Sequence, residues 1–108
     1  MFFHDPAKRP HKQLLPGVRI RTFWGDRVLL SLVELTPHAE VPTHTHPHEQ
    51  AGMVLEGEAE MTVGGETRHL KPGDIYVVPS DVVHAVKNGD RQARFLDVFS
   101  PVREEYKY

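Results

Sequence analysis

The sequence has no cysteine. Disulfides, thiolate nucleophiles and zinc–thiolate sites are excluded together, so any metal must be held by nitrogen and oxygen. No apolar run approaches the ~20 residues that a membrane-spanning helix requires. Basic runs are missing too. With 13 Lys and Arg against 15 Asp and Glu, the formal charge is −2 and nucleic acid finds no electrostatic footprint. The opening residues, MFFHDPAKRP, lack the apolar core and small-residue cleavage site of a secretion signal, which predicts a cytoplasmic protein. No window sustains a helical period. At 108 residues the chain predicts one domain with a single modest core.

What is present is punctuation and alternation. Nine prolines and eight glycines separate short β-rich runs. These runs cover 18–24, 27–35, 51–63, 66–70, 74–79, 83–88 and 93–99. Between them lie the turn formers Gly25-Asp26, Gly64-Gly65, Pro72-Gly73 and Asn88-Gly89. Gly64-Gly65 suits a two-residue hairpin that needs positive φ. Many short strands with regular turn signals predict an all-β sandwich or barrel. In the run 51–63, Glu56, Glu58 and Glu60 share one parity and Gly57, Ala59, Met61 and Val63 the other, so the carboxylates face solvent and the second set faces inward. Residues 1–16, with Pro6, Pro10 and Pro16, read as an N-terminal arm or an edge strand.

Residues 44–50 read HTHPHEQ. Residues two apart on a strand project to the same side, so His44 and His46 can offer two imidazoles to one ion, and Gln50 shares their parity. A divalent ion bound through nitrogen and oxygen needs three or four such donors converging in a cavity. The other reading is a surface loop that happens to be rich in histidine. His48, after Pro47, either lines the cavity, substitutes as a ligand or is merely structural. A register slip would bring Glu49 to the ion in place of Gln50.

Near the C-terminus, Phe95, Asp97 and Phe99 share a parity, so an inward Phe99 implies an inward Asp97. A carboxylate facing an apolar cavity has its pKa raised toward the range useful for proton transfer. Arg103 follows at the expected rim, where a guanidinium can grip a substrate carboxylate in bidentate fashion. The competing readings are a solvent-facing Asp97 and an Arg103 that only pairs with Glu104 or Glu105.

Two distant stretches carry a family resemblance. One runs His44-x-His46, Gln50, Gly57. The other, GDIYVVPSDVVHAVKN, places Gly73, Pro79, Asp81, His84 and Asn88. Together they resemble the paired motifs of the cupin superfamily, spanning 44–57 and 73–88. The resemblance implies a double-stranded β-helix, or jelly roll, with one divalent metal near the barrel mouth and His44, His46, Gln50 and His84 as its ligands. Gln50 stands where that family usually has glutamate. Asp81 replaces a turn glycine, and aspartate tolerates the left-handed conformation better than most residues.

Within the cupins, the H-x-HPHEQ run, the MFF start and the tail LDVFSPVREEY are similar to the pectin-degradation cupins. These open the ring of 4,5-unsaturated uronates to the linear keto form. That resemblance marks Asp97, Phe99 and Arg103 as active-site residues and implies a small anionic sugar acid as substrate. With Gln50 the ligand shell is neutral, which favours anionic ligands and Lewis-acid chemistry and departs from the 2-His-1-carboxylate arrangement of many oxygenases. A quercetinase-type dioxygenase, a non-catalytic sugar-acid-binding cupin and a set of histidines without metal are the alternatives. The N₃O shell suits zinc, nickel, manganese and iron alike. Exposed sheet edges predict a homodimer, with Phe2, Phe3 and Trp24 placed either in its contact or in the core. His4, His11, His38 and His69 are scattered and have no expected catalytic role.

Overall fold

A computed structural model describes residues 2–108; Met1, the first residue of the MFF start, lies outside them. After a 3-10 turn at Pro6–Lys8 come β1 (Lys12–Leu15), β2 (Val18–Trp24), β3 (Leu29–Leu35), β4 (Glu40–His44), β5 (Glu49–Glu56), β6 (Ala59–Val63), β7 (Glu66–Leu70), β8 (Ile75–Val78), β9 (His84–Asn88) and β10 (Ala93–Ser100). A second 3-10 turn, Glu104–Tyr106, follows β10. The strands form a six-stranded sheet in the order β1-β2-β3-β10-β5-β8 and a four-stranded sheet in the order β4-β9-β6-β7, every pairing antiparallel. The fold is a jelly roll. No helix among the described residues is long and apolar enough to cross a membrane.

Strict alternation fills the interior. Val18, Ile20 and Thr22 of β2, Leu29, Ser31 and Leu35 of β3, and Ala93, Phe95, Asp97 and Phe99 of β10 are all buried on one parity. Residues of the other parity face outward, as a period of two requires. Glu56, Glu58 and Glu60 are exposed while Ala59 and Met61 are buried.

Two boundaries differ from the sequence reading. The run 51–63 is not one strand, because Gly57 adopts φ +75° and breaks it into β5 and β6. A Cβ there would lie 2.9 Å from Ala93 Cα, so the break needs glycine for space as well as for conformation. β4 was not anticipated, since EVPTH carries a proline and no apolar alternation. Proline is tolerated at Pro42 because β4 is an edge strand. β1 is an edge strand as well, and Gly64, at φ +58°, opens the two-residue hairpin between β6 and β7.

The outer face of the six-stranded sheet is ordered in rows. Leu30, Val98, Ala51 and Val77 stand side by side across four strands, and Leu32, Leu96, Met53 and Ile75 form the next row. Beyond them Arg19, Glu34, Arg94 and Glu56 alternate in sign along a charged row. Phe2 and Phe3 are exposed, so neither belongs to the core, and Trp24 is 39% exposed.

Candidate metal centre and cavity

The three histidines come together by strand pairing and a connecting segment, not by parity along one strand. His44 ends β4 in the four-stranded sheet, His46 lies in the connection to the other sheet, and His84 opens β9 opposite His44. One ring nitrogen from each lies within 4.8 Å of the others. Parity along one strand would pair His44 with His46, but β4 ends at His44, and the two rings meet through the connection that follows it. Gln50 sits on β5 in the six-stranded sheet, buried, with Oε1 3.1 Å from His46 Nε2.

Each imidazole is fixed by its backbone neighbourhood. Nδ1 of His44 faces the Pro42 carbonyl at 2.8 Å, that of His46 the His48 carbonyl at 3.0 Å, and that of His84 the Val82 carbonyl at 2.9 Å. A carbonyl can only accept, so each Nδ1 carries the proton and each Nε2 presents its lone pair. Burial pushes His84 down to about 4, with the neighbouring His44, His46 and Arg103 adding to the effect. Burial and Arg103 lower His46 as well. Both rings are neutral at physiological pH. Nε2 of His84 is buried with no hydrogen-bond partner. His46 meets acceptors at both nitrogens, the His48 carbonyl and Gln50 Oε1, yet a neutral imidazole has only one N–H. An orphaned lone pair and a doubled acceptor are what a cation among these Nε2 atoms would resolve, so the donor set fits a metal ion.

The second motif is tied to the first by its turn. Asp81 adopts φ +63°, the left-handed region expected in place of glycine, and its N–H donates to the His46 carbonyl at 2.9 Å. Ser80 Oγ donates to the Pro47 carbonyl. The connection carrying His46 is thereby anchored to the turn that leads into His84.

Behind the histidines a cavity of about 280 Å³ opens between the sheets, lined in part by His44, Gln50, His84, Asp97, Phe99 and Arg103. Asp97 points inward and is 7% exposed, which rules out its solvent-facing alternative. Burial pushes its carboxyl up to about 6, opposed by hydrogen bonds from Tyr76 and Gln50 and by the Arg103 charge. Tyr76 Oη donates to Asp97 Oδ1. Burial, then the Asp97 charge, raises the Tyr76 phenol far above its ordinary value, so it acts only as a donor. This contact crosses β5 at Gly52, the register partner of both residues, where a Cβ would collide with each of them.

Arg103 makes the expected pair with Glu105 and also lines the cavity. Its Nε donates to Glu105 at 2.8 Å, and its guanidinium lies 4.1 Å over the Tyr106 ring and 5.2 Å from the Phe99 ring while lining the cavity. Phe99 packs edge-on to His46 with ring centroids 5.6 Å apart, joining the wall to the histidine cluster. Glu49 is exposed, so the slipped register does not occur. His48 belongs neither to the cluster nor to the cavity lining, and its carbonyl is what orients His46. His69, on the edge strand β7, pairs with Glu58 at the surface.

The sequence reading missed Tyr76, Tyr106 and Ser31, all of which line the cavity. Tyr76 shares the inward parity of Val78 in IYVV, and Ser31 is the single hydroxyl on the inward parity of β3. Both signals were available.

Comparison with known proteins agrees with this arrangement. Residues 31–99 match the model of the Cupin domain family. The chain is 29% identical over 99 residues to the pectin degradation protein KdgF of Dickeya dadantii, covering 90% of each. It is 39% identical over 77 residues to the H2HPP isomerase of Bacillus subtilis, covering 68% of this chain but 32% of that protein. The structure of KdgF from Halomonas superposes with a TM-score of 0.91 at 26% identity, covering 97% of both chains.

Proposed function

Since the chain belongs to the cupin family, we propose that it is a metal-dependent enzyme converting 4,5-unsaturated uronates to the linear keto form. The observation that carries this reading is Asp97, a buried carboxylate raised to about 6 that faces one cavity together with a three-histidine cluster and a guanidinium. The pectin-degradation relative and the isomerase relative both support it. A cavity of about 280 Å³ is at the lower limit of small-molecule sites and suits one sugar acid.

In this reading His44, His46 and His84, with Gln50 Oε1, hold one divalent ion, whether zinc, nickel, manganese or iron. When bound, it supplies positive charge for the uronate carboxylate and for the oxygen that becomes the C5 ketone. Arg103, its Nε held by Glu105, keeps two terminal nitrogens for the carboxylate. Phe99 walls the pocket. Asp97 takes the proton of the C1 hemiacetal hydroxyl as the bond from C1 to the ring oxygen breaks. C1 becomes the aldehyde and the electron pair leaves with the ring oxygen as a C5 enolate. Asp97 then returns the proton to C4, and C5 becomes the ketone. No atom is gained or lost. Purified protein supplied with each metal in turn is expected to abolish the ultraviolet absorbance of the conjugated C4–C5 double bond. Persistence of that absorbance with every metal would remove the assignment.

We also propose a homodimer, formed through the outer face of the six-stranded sheet and not through its edges. Leu30, Met53, Ile75 and Val77 are exposed on adjoining apolar rows, and the Arg19–Glu34–Arg94–Glu56 row is complementary to itself under a two-fold rotation. Sedimentation equilibrium is expected to give twice the chain mass, and Met53→Glu to give a monomer that keeps its strand content. A monomeric unsubstituted protein would reject this interface.

A further inference from the structure

Ser31 stands in the middle of β3 with no exposed surface, and its Oγ is buried without a hydrogen-bond partner. Its companions on the inward parity, Leu29 and Leu35, are apolar and buried. A hydroxyl among them is disfavoured unless something bonds to it. The surrounding polar groups are already engaged elsewhere. Thr22, its register partner on β2, donates its hydroxyl to the Tyr106 carbonyl at 2.6 Å. Asp97, its partner on β10, accepts from Tyr76 on the opposite side, through the gap at Gly52. Ser31 is among the residues that line the cavity.

We propose that Ser31 is a specificity-determining residue that donates its hydroxyl proton to a ring hydroxyl of a polyhydroxy acid lying against Asp97. A ligand hydroxyl is a donor and an acceptor at once, so a single group can accept from Ser31 and donate to the Asp97 carboxylate. Tyr76 of β8 and Gln50 of β5 hydrogen-bond that carboxylate from one side, and the side facing β3 is left for the ligand. The ligand class rests on the uronate reading above. The hydroxyl-recognising role rests only on the unpartnered Oγ and the cavity it lines.

Calorimetric titration of the metal-loaded protein with D-galacturonate, a saturated acid that cannot react, tests the role directly. Ser31→Ala is expected to weaken galacturonate binding about tenfold, the worth of one hydrogen bond. Acetate, which has the carboxylate and no hydroxyl, is expected to bind both proteins equally. The melting temperature is expected to hold or rise, because an unpaired buried hydroxyl has been removed. Ser31→Cys, which keeps the volume and donates weakly, is expected to show the same loss. In turnover of the unsaturated uronate the loss is expected in KM more than in kcat. Equal galacturonate affinity in all three proteins would mean the hydroxyl serves only a resident water, and the inference would be wrong. Ser31-dependent galacturonate binding without uronate turnover would retain the inference and reject the ring-opening reaction. Turnover indifferent to Ser31 would do the reverse.

Discussion

Asp97→Asn is expected to lower kcat on the unsaturated uronate at least about a hundredfold and, in metal-free protein at pH 8, to raise stability by ~2 kcal/mol. The two effects share one cause. Asparagine keeps the shape and still offers Tyr76 an acceptor, but it cannot carry a proton from the hemiacetal oxygen to C4. Burial has raised the carboxyl from 3.8 to about 6, so the native state binds this proton more tightly than the unfolded chain does. Between those values the native state holds more protons, and stability falls as pH rises through the window. The penalty is complete above about 6. Below about pH 4 the carboxyl is protonated in both states and the variant gains nothing. Urea unfolding of the chelated proteins at pH 4 and pH 8 measures the difference. On the proposed mechanism the ionised carboxylate is the base, so kcat/KM is expected to rise with pH. The nearby cation favours ionisation and sets the inflection at or below about 6. A variant that is less stable at pH 8, or one that still turns over, would separate Asp97 from the chemistry.

Fold class was legible because alternation is a local property that burial enforces. β2 and β7 match their sequence runs residue for residue, since each is bounded by turn formers and has one buried or paired register. β4 was illegible because its role is positional: it is an edge strand that needs neither apolar alternation nor freedom from proline. The break at Gly57 lay hidden because inward parity changes between β5, where Gln50 and Val54 are buried, and β6, where Ala59 and Met61 are. An irregularity in the pairing before Glu56 makes the switch without interrupting the alternation of 56–63. The histidine cluster was legible through motif spacing, although the physical reason is the pairing of His44 with His84 across β4 and β9 and the position of His46 in the connection that follows. Tyr76 and Gly52 form the part that spacing could not give. A glycine opposite a tyrosine on one side and an aspartate on the other is a three-strand arrangement, and only register brings the three residues into line. Asp81 shows the opposite case. The family resemblance places a turn glycine at that position, aspartate tolerates the same conformation, and the structure adopts it.

Gln50→Glu is expected to tighten metal binding yet raise KM for the uronate at least about tenfold, the scale of one charged contact. A carboxamide has two unlike ends. Oε1 of Gln50 faces His46 Nε2 on the cluster side, and its hydrogen bond to Asp97 helps hold that carboxyl down. With three neutral imidazoles and a neutral amide around it, a divalent ion keeps its whole charge for an anionic substrate. Glutamate removes half of that charge and, having no N–H, cannot donate to Asp97. Two carboxylates would then face each other in a buried site, and like charges that close drive one of them to take up a proton. The proton acceptor at position 97 would be lost at neutral pH even with the metal firmly in place, so kcat is expected to fall together with the rise in KM. Competition against a chelator of known affinity measures the metal term, and uronate kinetics on fully loaded protein measures the rest. Gln50→Ala separates the two contributions: it loses the amide donor and a ligand atom but adds no charge, so it is expected to bind metal more weakly while its substrate affinity per metal-loaded site stays closer to that of the unsubstituted enzyme. Should Gln50→Glu hold its metal more tightly and still bind and convert the uronate as well as before, the neutrality of the donor shell would have no part in substrate choice.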